Sequence, residues 1–138
     1  MPQLDRHHFA VSHALEKEGW TIVRHNMGLL LDNTYVYIDI EARRSEVTAP
    51  LPASIGVEVK VIAPRRVTEQ VERAIGQYII YRSLLEDAYP NHACYLAVST
   101  RDYRRHLSGP KYRRVFQTNR IHLLIFDEVR EEIDQWIP

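Results

Sequence analysis

Residues 55–62 read IGVEVKVI, and this octapeptide decides how the rest of the chain is read. Ile55, Val57, Val59 and Val61 alternate with other residues, the period-two pattern of a β-strand with one apolar face. The intervening positions carry Glu58 and Lys60. Side chains two apart in a strand project from one face, roughly 7 Å from each other. A carboxylate and an ammonium therefore share a face of an otherwise apolar strand.

An ion pair on a solvated sheet face would explain the two charges and contribute little. Three features give the pair more weight. It lies in a strand rather than a helix. The upstream segment TYVYIDI (34–40) is a second alternating strand, with Asp39 late in it. And the chain holds 15 arginines against three lysines, yet has lysine here; lysine can give up a proton and arginine cannot. If the two strands pair, Asp39, Glu58 and Lys60 converge. Two carboxylates at one sheet edge repel each other, and a divalent cation relieves the repulsion. Oxygen ligands favour Mg²⁺ or Mn²⁺ over zinc. A nearby ammonium orients or deprotonates a water and counters phosphate charge, which suits metal-assisted hydrolysis of a phosphodiester.

Working outward, Asp5 to Glu18 has helical periodicity, with His8, Val11, Ala14 and Leu15 on one face and Gly19 as the stop. WTIVRH (20–25) follows as a strand, and GLLLDNTYVYIDIEA (28–42) as a hairpin turning at Asp32-Asn33. Residues 42–54, with Pro50 and Pro52, read as a loop. Thr68 is placed as the N-cap of the longest helix, which runs to about Ala88 with Val71, Ala74, Ile75, Tyr78, Ile79 and Leu85 as its apolar stripe. ACYLAVS (93–99) is an uncharged and hence central strand. Residues 101–118 are helical and basic, broken at Gly109-Pro110; IHLLIFD (121–127) is a strand, and EEIDQW (131–136) an edge strand or a last helical turn. The order α-β-β-β-α-β-α-β gives an α/β fold with a mixed sheet, in a single domain over residues 1–138.

The bulk numbers exclude several classes. A hydrophobic content of 45% and a charged content of 26% fit a globular chain. No apolar run approaches the roughly 20 residues that span a bilayer, and MPQLDRHHFA at the N-terminus lacks the apolar core of a signal peptide. Cys94 is the only cysteine, so no disulfide framework exists. A reducing cytoplasm and no membrane association are expected. Net charge is zero, but Arg101, Arg104, Arg105, Lys111, Arg113, Arg114 and Arg120 gather with Asp102 as the one acid among them. Such a segment is either a phosphate-binding face or the solvated side of a helix. Arg104, Arg105, Arg113 and Arg114 are the candidate nucleic-acid contacts. No P-loop, dinucleotide fingerprint or zinc-finger spacing is present.

Asp39 followed by Glu58-Val59-Lys60, in the order αβββαβ, resembles the PD-(D/E)xK nuclease superfamily. Ile38 stands where that pattern often has proline, a position without chemistry. In GQYIIYR (76–82), Gln77 and Tyr81 stand at i and i+4 on one helix face. They are similar to the Gln-x-x-x-Tyr element of the RecB-type branch, where these residues position the lysine and the nucleic acid. In that branch a first-helix histidine can ligate metal; His8 matches, with His7 and His13 nearby.

A narrower resemblance covers nearly the whole chain. ALEKEGW, YIDIEA, GVEVKV, AIGQYIIYR, LLIFD and QWIP are similar to the fdxN element excision controlling factor family, XisH. The resemblance implies a restriction-endonuclease-like fold and a role in controlling programmed DNA excision. It also implies a site-specific recombinase and a small XisI-type companion as partners. The implied site is Asp39, Glu58 and His8 on Mg²⁺ or Mn²⁺, Lys60 on the attacking water, and Gln77 with Tyr81 aligning lysine and phosphate. Two alternatives stay open: an adaptor that keeps the fold without turnover, and an RNA substrate. A homodimer is also left open.

Overall fold

The computed structural model describes residues 3–45 and 51–138. IGVEVKVI supplies most of β3 (Ser54–Val59), the third strand of one six-stranded sheet in the order β1-β2-β3-β4-β5-β6. Before it come helix α1 (Gln3–Lys17) and the hairpin strands β1 (Thr21–Leu31) and β2 (Thr34–Arg43). After it come α2 (Val67–Ala88), β4 (His92–Ser99) and a short α3 (Thr100–Asp102) that runs into a π-helical turn, Tyr103–Leu107. Helix α4 (Pro110–Thr118), β5 (Leu123–Asp127) and β6 (Glu132–Ile137) complete the fold. β3, β4 and β5 are parallel neighbours, while β1, β2 and β6 pair antiparallel. Among the described residues, no helix is long and apolar enough to cross a membrane.

The strand alternation builds two cores. On one face Ile55, Val57 and Val59 pack with Ala10, Val11 and Leu15 of α1. On the other, Met27, Ile38 and Leu96 pack with Val71, Tyr78 and Leu85 of α2. α2 is the crossover between parallel β3 and β4, so it must lie flat on this face. Gly56 lets it approach: a Cβ there would stand 3.0 Å from Leu85 Cδ2 and 3.4 Å from Ile38 Cδ1. Leu85 and Tyr78 are fully buried, and Tyr78 Oη donates to the Cys94 carbonyl at 2.8 Å and accepts from the His122 N–H at 3.1 Å. One side chain thus ties α2 to β4 and to the approach of β5.

Helix α1 ends at Gly19 as its sequence signals. Gly19 takes φ 91°, its N–H donates to Glu16 O, and the Trp20 N–H reaches back to Leu15 O. WTIVRH and GLLL prove to be one strand, β1, with a bulge between Ile22 and Arg24. It turns at Asp32-Asn33, and Asp32 adopts a left-handed φ of 51°. Two expectations shift. The predicted loop over 42–54 is shorter at both ends, because Ala42 and Arg43 pair with Ile55 and Ser54; Pro50 lies outside the described residues. Thr68 is inside α2 and Arg66 holds the N-cap position at φ 48° without a capping side chain. Gln70 organises that entry instead, accepting from Ala63 N–H and donating to Ala63 O and Arg65 O. EEIDQW resolves as the edge strand β6.

Replacing Gly56 with valine should overpack this contact and destabilise the fold by about 1–3 kcal/mol in denaturant unfolding. In a Leu85→Ala background the same replacement should cost much less, because the clashing δ-methyl is gone. Additive losses would show that Gly56 does not set the seat of α2.

Candidate active site

The β2–β3 ladder runs from Arg43↔Ser54 to Ile40↔Val57, and the next facing pair is Asp39 and Glu58. Here side chains replace backbone. The Val59 N–H donates to Asp39 Oδ2 at 2.8 Å, and the Asp39 N–H donates to Glu58 Oε1 at 3.3 Å. The strands part at this point, and each carboxylate satisfies a main-chain donor of the other strand. Asn26 stands opposite Asp39 on β1, between the His25↔Ile40 and Met27↔Ile38 pairs, and takes a left-handed φ of 56°. All three strands are irregular at one level.

Lys60 lies just past β3, yet its N–H still donates to Ala97 O of β4 at 2.9 Å. Its Nζ stands 3.5 Å from Glu58 Oε2, with the lysine side chain 26% exposed and that of Glu58 8%. The expected convergence of Asp39, Glu58 and Lys60 is therefore the local geometry. Burial, and then the neighbouring Asp39 charge, push the Glu58 carboxyl up to about 8, while Lys60 pulls it down. At neutral pH Glu58 keeps its proton: two carboxylates this close do not both ionise in a half-dry gap.

Tyr81 of α2 turns to the same gap. It is 9% exposed, and its hydroxyl pKa is raised by burial and then by the charges of Glu58 and Asp39. Gln77 lies one turn earlier on that helix face, and its buried Oε1 has no hydrogen-bond partner among the described residues. A buried amide oxygen left bare is costly unless something donates to it. From α1, burial lowers the pKa of His8, and the nearby Asp39 charge opposes that shift. His8 Nε2 is 2.8 Å from His25 Nδ1. The neighbouring histidines go elsewhere: His7 is buried edge-on to Phe126, and His13 pairs with Glu131 at 3.0 Å.

Two participants were not anticipated. His25 belongs to no local pattern, but the β1–β2 register puts it beside Ile40, one residue from Asp39. Asp102 is buried and accepts the Ile62 N–H at 2.9 Å, fixing the chain just beyond Lys60. Its signal was its position as the lone acid in the basic segment. The arginines of that segment are all exposed. Arg104 and Arg105 lie on the π-helical turn, and the Arg104 charge reaches Asp127. Arg113 lines a cavity between α4 and α2, whereas Arg114 borders a shallow groove with Lys111.

The donor set suits a hard cation. Among the described residues, no three His, Cys, Asp or Glu side chains are gathered tightly enough to enclose an ion by themselves. Mg²⁺ rarely asks for that; it is commonly held by one or two carboxylates with waters and substrate phosphates. Asp39 and Glu58 offer such oxygens, and an ion would take the place of the Glu58 proton.

The raised Glu58 pKa has a consequence for stability. Its ordinary value is 4.5 and its folded value about 8. Between these the folded chain holds a proton that the unfolded chain has lost, so this contribution is full below pH 4.5 and fades as pH rises to about 8. His7, His8 and His122, whose pKa values are lowered mainly by burial, titrate in wild type and variant alike. The stability of wild type minus that of Glu58→Gln should thus fall by roughly 1–4 kcal/mol from pH 5 to 8 and then level off. A flat difference in thermal unfolding would mean that Glu58 is ionised in the folded protein.

Residues 1–134 match the XisH protein family. The structure is similar to that of an XisH family protein from Nostoc punctiforme, with a TM-score of 0.85 and 30% identity over 97% of this chain and 100% of that one. It is also similar to an fdxN element excision controlling factor protein from Anabaena variabilis, with a TM-score of 0.86 and 28% identity over 97% and 99% of the two chains. No curated protein matches the sequence. With residues 1–134 matched and its sheet and helices superimposed on solved relatives, the chain belongs to the XisH family.

Proposed function

We propose that this XisH-family protein is a PD-(D/E)xK-type, Mg²⁺- or Mn²⁺-dependent DNA phosphodiesterase with a restriction-endonuclease-like core, acting in the control of programmed DNA excision. The observation that carries the reading is the interlocked Asp39–Glu58 pair, with Lys60 Nζ 3.5 Å from Glu58. Asp39 and Glu58 would hold the ion, with His8 beside them. When bound, the ion polarises the phosphodiester and makes its water more acidic. The protein's own part is positional. Glu58 releases its proton as the site fills. Lys60, tethered to β4 through its N–H, presents Nζ to the attacking water and to developing negative charge. Gln77 and Tyr81 border the gap from α2 and align Lys60 and the phosphate. Arg104, Arg105, Arg113 and Arg114 contact the DNA backbone. A small XisI-type companion and a site-specific recombinase would be its partners, as the resemblance in sequence implies.

One observation favours a second reading. Lys60 Nζ stands 3.5 Å from Glu58 Oε2, a contact that an adaptor binding DNA or a partner without turnover would need only for its stability. A plasmid-nicking assay with Mg²⁺ or Mn²⁺, run beside a thermal melt, separates the two. For a nuclease, Lys60→Ala should fold, bind DNA and lose on the order of 10² to 10⁴ in rate. Lys60→Arg should not rescue it, because guanidinium stays protonated. For an adaptor, wild type should nick no supercoiled, linear or single-stranded DNA, and Lys60→Arg should restore the stability that Lys60→Ala loses.

A further inference from the structure

Helix α2 has a second functional flank. Tyr81 turns to the carboxylate pair, but the next residue, Arg82, turns to the end of α4, where its Nη1 donates to Asn119 O at 2.9 Å and Arg120 O at 2.7 Å. Between α2, α4 and the β5–β6 end of the sheet lies a cavity of about 500 Å³. This is the size of a pocket for a small organic molecule. Its charge is one-sided. Arg82, Arg113 and Arg120 line it, and among the described residues none of the three forms an ion pair. Glu86 is the single acidic side chain of the lining. Arg82 is also immobilised, with its guanidinium carbon 5.3 Å from the centre of the Tyr78 ring.

The floor has the opposite character. Phe116, Ile121 and Leu123 are buried apolar residues, and Tyr103 adds an aromatic wall. Gln117 and Gln135 supply amide donors and acceptors. His122 also lines the cavity, and its buried Nδ1 has no hydrogen-bond partner among the described residues. Burial, then Arg82 and Arg120, depress its pKa, as a net positive site requires.

Guanidinium forks match phosphate oxygens, and an apolar, partly aromatic floor matches a flat heterocycle. We propose that this cavity binds a nucleoside phosphate, free or as the phosphorylated end of a strand. The phosphate sits among Arg82, Arg113 and Arg120, and the base lies on Phe116, Ile121 and Leu123. The site stands apart from Asp39 and Glu58, so it does not depend on cleavage.

Calorimetric titration with the four ribonucleoside monophosphates, inorganic phosphate and a 5′-phosphorylated oligonucleotide tests the proposal. At least one nucleotide should bind saturably and more tightly than inorganic phosphate. Arg113→Ala and Arg120→Glu should weaken it about ten-fold or more. Arg73→Ala, on an exposed turn of α2, should not. Arg82 is left intact because it supports α4. In NMR, saturation should raise the pKa of His122. If only the oligonucleotide binds, and loses its affinity with its terminal phosphate, the ligand is a strand end. Oligonucleotide binding insensitive to both the terminal phosphate and Arg113→Ala, with no saturable binding of any mononucleotide, would overturn the proposal. So would inorganic phosphate binding as tightly as any nucleotide.

Discussion

The site depends on a substitution of side chain for backbone between two strands. At Asp39 and Glu58 the antiparallel ladder stops, and each carboxylate accepts a main-chain N–H from the other strand. An ordinary ladder would have closed this gap with amides and left no room for ligand oxygens. An unfilled gap would have left buried donors unpaired, at about 1–3 kcal/mol each. The carboxylates satisfy the sheet and remain available. The cost falls on Glu58, which is buried beside another acid and retains its proton until a cation or a base removes it.

The surrounding structure keeps that gap in place. β4 holds Lys60 through its main chain, Asp102 holds Ile62, and α2 brings Tyr81 to the gap because Gly56 lets the helix settle on β3. The same helix sends Arg82 to its other flank, where α4 and the start of β5 close a cationic cavity. Tyr78, between the two, is bonded to β4 and to His122 just ahead of β5. A disturbance of α2 should therefore reach both sites.

Much of this was legible in the sequence because it is periodic or local. Alternation in IGVEVKVI gave the central strand and put Glu58 and Lys60 on one face; Asp32-Asn33 gave the turn, and Gly19 the helix stop. What escaped notice was non-local. Thr68 is an ordinary capping residue, but the entry to α2 is organised by the side chain of Gln70 reaching back seven residues to Ala63. His25 meets His8 across 17 residues of chain through a register that no local pattern announces. Adjacent helical residues point about 100° apart, so Arg113 and Arg114 were bound to serve different surfaces.

The central claim is that Asp39 and Glu58 form one site in which a divalent cation replaces a proton. Calorimetric titration of Mn²⁺ at pH 7, repeated in buffers of different ionisation enthalpy, measures that exchange directly. Wild type should release about one proton per ion bound. Glu58→Gln should release none, and Asp39→Ala should bind far more weakly. Binding without proton release, or equal affinity in wild type and Asp39→Ala, would contradict the account.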